Sequence, residues 1–157
     1  MELEMMVALG KAGAAGALAM AALGSALGTG TAGMAAIGAW KKAYAQNKPA
    51  SFILITFIGA PLSQTIYGLI LMNMILARSE QAMTAGADFL NWPAMLIGGI
   101  IGGAAMGASS WFQGKAGAAA ADALGETGQG FGNYLLTIGI VETVALFVMV
   151  FVQGTFA

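Results

Sequence analysis

The stretch "GKAGAAGALAMAALGSALGTGTAGMAAIG", residues 10–38, carries one charge, Lys11, and consists mostly of glycine, alanine and small polar residues. It is longer than the ~20 residues that a bilayer-spanning helix needs. Glycine weakens a helix by roughly 0.5–1 kcal/mol relative to alanine, so its density here calls for tight packing in return. Gly24 and Gly28 form a small-xxx-small pair of the kind that lets two backbones approach where lipid supplies no hydrophobic drive.

Three more charge-poor runs follow, so that 12–40, 51–77, 89–113 (continuing past Lys115) and 127–157 each suffice to cross a membrane. The 157-residue chain is 59% hydrophobic and 8% charged, with a mean hydropathy of +0.81. These values describe a membrane protein rather than a soluble domain. The third run, "GGIIGGAAMGASS" at 98–110, shares the first one's character, with Gly98/Gly102, Gly99/Gly103 and Gly103/Gly107 all four apart. The second and fourth, "SFILITFIGAPLSQTIYGLILMNMILA" at 51–77 and "NYLLTIGIVETVALFVMVFV" at 133–152, are bulky and read as lipid-facing.

The expected fold is an all-α membrane protein of four transmembrane helices, arranged as two tandem hairpins at 1–78 and 79–157. Sliding the chain by 78 residues lays Gln64 on Glu142, Thr65 on Thr143 and Gly24 on Gly102, which points to a duplicated hairpin. A single four-helix bundle does not need glycine along two whole helices. In a ring of many copies the inner layer has the smaller circumference, so helices one and three are expected inside and helices two and four outside. A compact bundle of the same helices is the alternative that composition leaves open.

Other classes are disfavoured. Net charge is −1, whereas a nucleic-acid footprint needs a basic surface. The chain contains neither cysteine nor histidine, so thiol and imidazole metal sites drop out. It opens "MELEMM", acidic where a secretory signal is basic, so the first helix is expected to be retained. "GTGTAG" at 28–33 follows no strand and does not match a phosphate-binding loop. Lys41, Lys42 and Lys48 crowd the first connection, while the second offers Arg78 against Glu80 and Asp88. The positive-inside rule then places the connections one–two and three–four in the cytoplasm and both termini outside.

Glu142 sits near the middle of the fourth run, where a charged side chain costs about 2.5–3.5 kcal/mol even on mild insertion scales. Something must compensate it. Residues equally far from a hairpin turn lie at one depth, and the turn "GETGQG" centres between Thr127 and Gly128, so Gln113 stands level with Glu142. Through the repeat, Gln64 occupies the same level on the second helix. Ser63 is its neighbour, and Tyr67 lies on the same helix face. Pro61 disrupts the hydrogen-bond ladder locally and can free a carbonyl such as that of Ala60.

Together these residues offer one carboxylate, two amide oxygens, a hydroxyl and a backbone carbonyl, a hard all-oxygen set suited to a hard cation. With one negative charge in the set, Na⁺ is the expected ion, with Li⁺ and H⁺ as alternatives. Lys115 is two residues from Gln113, about 200° around the helix, and is expected to point away as a snorkelling side chain or toward the interior of a ring.

The combination of "PLSQTIYG" at 61–68, "FQGKAGAAAADAL" at 112–124 and "IVETVALFV" at 140–148 resembles the rotor proteolipid of V-type and V/A-type ATPases, the K or c subunit, and most of all its sodium-pumping bacterial branch. The resemblance covers nearly the whole chain. It implies a homo-oligomeric ring in the cell membrane that turns when a separate soluble head hydrolyses ATP, the chain itself being non-catalytic. Its implied partners are a stator subunit bearing an arginine, a central-stalk subunit and membrane lipid, with no nucleic acid. By motif, Glu142 is the ion-carrying carboxylate and Gln64, Gln113, Ser63 and the Ala60 carbonyl are metal ligands. Tyr67 hydrogen-bonds Glu142 and locks it.

Two positions depart from the pattern. Ser63 stands where sodium-type relatives tend to carry threonine, and position 60 is alanine rather than a larger apolar residue. Two rival readings are a proton-translocating ring and a small proton-coupled multidrug transporter, although the latter calls for aromatic residues around its carboxylate. A structural or pore-forming proteolipid is a third.

Overall fold

A computed structural model describes residues 2–85 and 90–156; Asp88, Phe89 and Ala157, which the sequence assigns to a connection and to run ends, lie outside them. All regular structure among the described residues is helical: α1 (Leu3–Ala45), α2 (Ile55–Gly59), α3 (Ser63–Ala85), α4 (Trp92–Thr127) and α5 (Phe131–Gln153). Between α2 and α3 lies a 3-10 turn at Ala60–Leu62, so the two helices form one interrupted span, Phe52–Ala85. With Leu3–Ala45, Trp92–Thr127 and Phe131–Gln153, this makes four helices long and apolar enough to cross a membrane. The chain is a multi-pass membrane protein.

The helices outrun the charge-free stretches that foretold them. α1 has 43 residues, about 65 Å at 1.5 Å per residue, against a hydrocarbon layer of about 30 Å. Its last turn and that of α4 can therefore carry charge, and Lys42 pairs with Glu126 across them. For the same reason the expected hairpin boundary at 78/79 falls within a helix. α3 continues through Arg78 and Glu80 to Ala85, and α4 begins at Trp92.

Capping defines the ends of α4. Asn91 Oδ1 accepts from the Ala94 amide at 3.4 Å, with Pro93 in the first turn. At the far end Gly128 takes φ 65° and donates to Leu124 O at 2.8 Å, and Gly130 takes φ 86°. Left-handed glycines at both ends of 128–130 let the chain reverse within a short link. Thr127, read from sequence as the start of the fourth run, is the last residue of α4.

α1 and α4 run parallel with their backbones touching. A Cβ on Gly24 would fall 2.0 Å from Gly107 O, one on Gly99 2.1 Å from Gly13 O, and one on Gly114 2.2 Å from Gly28 Cα. α3 packs on α1, and α5 packs on α4. The thin pair thus forms one layer and the bulky pair the other, as the composition foretold. Facing residues such as Gly13 with Gly99 and Gly28 with Gly114 are farther apart than the 78-residue shift, so one uniform shift does not bring both the glycine-rich and the bulky helices to equal depth.

The core divides along the length of the helices. One cluster gathers Ala17, Leu71, Ile75, Met95, Met106 and Met149, and the other Ala36, Leu54, Phe57, Ala121, Leu124 and Ile138. A polar layer lies between them. Of the buried polar side chains Ser25, Gln64, Ser79, Ser109, Ser110 and Gln113, Ser79 alone lies outside that layer, and it bonds to its own helix at Ile75 O, 3.0 Å.

Candidate ion-binding site

Pro61 begins the construction. It is buried in the 3-10 turn that ends α2, and its missing N–H leaves Phe57 O without the usual helical donor. That carbonyl faces α4 at Gly117, where an added Cβ would come within 2.9 Å of it. The turn sets Ala60, Ser63 and Gln64 at the start of α3 against α4. Ser63 Oγ lies 3.1 Å from Ala60 O and 3.2 Å from Gln64 Oε1, so its proton serves both.

Gln64 and Gln113 are both fully buried. Gln64 Nε2 donates to Gln113 Oε1 at 2.7 Å. Gln113 Nε2 spends its two protons on Ile138 O at 3.2 Å and Glu142 Oε2 at 3.1 Å. Tyr67 donates its hydroxyl proton to Glu142 Oε1 at 2.8 Å. A continuous chain of hydrogen bonds therefore joins Ser63, Gln64, Gln113, Glu142 and Tyr67 across three helices. Ala60 enters it through its carbonyl.

Glu142 is half-buried and accepts on both oxygens, from Tyr67 on one and from Gln113 on the other. Lys115 does not contribute: it is exposed, with Nζ 4.1 Å from the centroid of the Trp111 ring and 5.1 Å from that of Phe112. Residues 96–152 match the family model of the ATP synthase C subunit. The match spans nearly all of α4 and α5, including Gln113 and Glu142, while Ser63, Gln64 and Tyr67 lie outside it. No curated protein matches the chain.

One detail departs from the expected ligand set. Gln113 turns its nitrogen, not its oxygen, toward Glu142, and Gln64 likewise offers nitrogen to Gln113. A cation accepts no hydrogen bond, so one held between Gln113 and Glu142 would need Gln113 to present Oε1 there in place of Nε2. Sequence reasoning also passes over Ser25, Ser109 and Ser110, which share the polar layer. The available signal is the adjacency of two serines one turn before Gln113, in a run that reads as a stripe of small residues.

Tyr67→Phe tests how firmly the carboxylate is held. Removing one hydrogen bond to a charged group, typically ~1.5–3 kcal/mol, is expected to speed carbodiimide modification of Glu142 by about ten-fold or more at fixed pH. An unchanged rate would mean that Tyr67 does not restrain the carboxylate.

Proposed function

We propose that this chain is the ion-carrying subunit of a homo-oligomeric rotor ring in a V-type rotary ATPase, and that it carries Na⁺ on Glu142. The observation that carries the reading is the oxygen-rich cluster of Ala60, Ser63, Gln64, Gln113 and Glu142 at mid-span, with the two glutamines buried and Tyr67 on the carboxylate. The partial match to the ATP synthase C subunit supports the rotor assignment. The thin α1–α4 layer supports a ring, because such helices suit the smaller inner circumference.

In this mechanism the ion neutralises Glu142, and the loaded subunit then moves through lipid, which a bare carboxylate cannot enter without a prohibitive cost. At a stator subunit an arginine draws the emptied carboxylate, and the ion leaves. Gln64 and Gln113 turn their amide oxygens inward when the ion enters, and Ser63 Oγ and the Ala60 carbonyl complete its shell. Tyr67 holds Glu142 closed over it. The chain performs no nucleotide chemistry; ATP is hydrolysed in a soluble head that a central stalk couples to the ring. The lysine-rich first connection faces the cytoplasm, with the 128–130 link beside it and both termini outside.

Carbodiimide attacks the protonated acid, so Na⁺ should protect Glu142 from labelling, and more effectively as pH rises and protons compete less. Millimolar Na⁺ giving no protection at any pH would replace this reading with a proton-translocating ring.

A further inference from the structure

Hydroxyls within a helix usually satisfy themselves by bonding back to their own preceding turn. Thr29, Thr31, Ser79, Thr127, Thr137 and Thr143 all do so here. Ser109 and Ser110 do not. Ser110 Oγ donates to Pro61 O at 2.6 Å, and Ser109 Oγ donates to Val141 O at 2.8 Å. Adjacent residues of α4 thus reach in two directions, one to the proline turn that carries Ala60, Ser63 and Gln64, the other to the carbonyl just before Glu142. Both serines stand about one turn before Gln113.

Ser110 is fully buried and Ser109 is 6% exposed. Ser25 Oγ lies 3.2 Å from Ser110 Oγ; since Ser110 has one proton and the shorter contact takes it, Ser25 acts as the donor. Close approach of the helices makes this geometry possible: a Cβ on Gly28 would lie 2.4 Å from Ser110 O and 2.8 Å from Pro61 Cβ. α4 is therefore the fixed member of the site, with the second span and α5 each hydrogen-bonded to it at the residue adjoining an ion ligand.

We propose that Ser109 and Ser110 are positioning residues that set the separation of the two walls of the site, the Ala60–Gln64 turn and the Glu142 segment, and thereby its discrimination among ions. The inference rests on the reading of Glu142 as the ion carrier, but neither serine is a ligand in that reading. The physical consequence is specific. A cation shell tolerates little change in ligand distance, so releasing one wall should alter affinity and the Na⁺/Li⁺ ratio while leaving the helices assembled.

The test is carbodiimide labelling of Glu142 in the intact membrane complex, comparing wild type with Ser110→Ala, Ser109→Ala and Ser25→Ala. Loss of one hydrogen bond should raise the half-protecting Na⁺ concentration by about ten-fold in Ser110→Ala, with a changed Na⁺/Li⁺ ratio. Ser25→Ala, which keeps the bond to Pro61, should stay within about two-fold of wild type. If Ser110→Ala does not assemble, Ser109→Ala reads the same effect from the other wall. Serine variants that keep both half-protecting concentrations and the ratio of wild type overturn the proposal. If wild type itself shows no Na⁺ protection, the sodium reading fails separately. The positioning role is then judged from the pH midpoint of labelling, where a shift in Ser110→Ala but not in Ser25→Ala supports it and unshifted midpoints overturn it.

Discussion

Glu142→Gln is expected to abolish ion-coupled ATP hydrolysis by the assembled complex while leaving the ring intact. Glutamine has nearly the same shape, and its carbonyl oxygen can still accept from Tyr67 as Glu142 Oε1 does at 2.8 Å. What disappears is the single negative charge of the cluster. Breaking one side of a buried ion pair costs about 3–5 kcal/mol, so Na⁺ binding should weaken by about 10²–10⁴-fold, beyond any concentration at which the site would load. Coupling measured as Na⁺-stimulated ATPase activity and ²²Na⁺ uptake should vanish together. If both persist at wild-type levels, Glu142 is a packing residue and the rotor reading is lost.

Gly24→Ala should have the second-largest effect, through one methyl group. Its Cβ would stand 2.0 Å from Gly107 O and 2.2 Å from Gly107 Cα, with backbone on both sides and no side chain able to rotate away. Overpacking a well-packed core typically costs about 1–3 kcal/mol, occasionally more, and here relief requires the α1 and α4 axes to separate along a shared seam. A marked fall in the thermal stability of the detergent-solubilised protein is expected. Gly139→Ala on α5 is the control: nothing lies within 4 Å of the added atom, and alanine favours the helix by roughly 0.5–1 kcal/mol. The two variants should therefore move thermal unfolding in opposite directions. Equal behaviour would mean that the α1–α4 contact is not the constraint it looks to be.

Much of the fold could be read from composition because lipid imposes a simple rule. Backbone polar groups must be satisfied within each span, so long charge-free runs become helices. Contrasting side-chain volumes then sorted those helices into a thin pair and a bulky pair. The ends were less legible. A helix does not stop where hydrocarbon stops, so the charges Arg78, Glu80 and Lys42 mark the membrane boundary and not the helix boundary. The single 78-residue shift matches Gln64 with Glu142 but not the facing register of α1 and α4, where Gly13 meets Gly99 and Gly28 meets Gly114, because the first hairpin carries more residues around its turn: α1 runs further than α4 past that register, and the link 46–51 is longer than 128–130.

The residues gathered around Glu142 were likewise legible, since depth follows from counting along a hairpin and polar side chains at mid-membrane depth are conspicuous. Gln64, Gln113, Ser63, Tyr67 and Ala60 do converge on one level. The direction of the amides was not legible, because oxygen and nitrogen of a glutamine are chosen by the whole hydrogen-bond network. Nor was the role of Ser109 and Ser110, whose targets are backbone carbonyls and leave no side-chain signature in a sequence.

The number of spans, the pairing of glycine-rich with bulky helices and the level of one carboxylate follow from hydropathy and volume, properties that residues carry independently of their neighbours. Which atoms face Glu142, which serines bridge helices and which glycines cannot bear a methyl group emerge in three dimensions alone, because contact, unlike depth, depends on the rotation of each helix about its own axis.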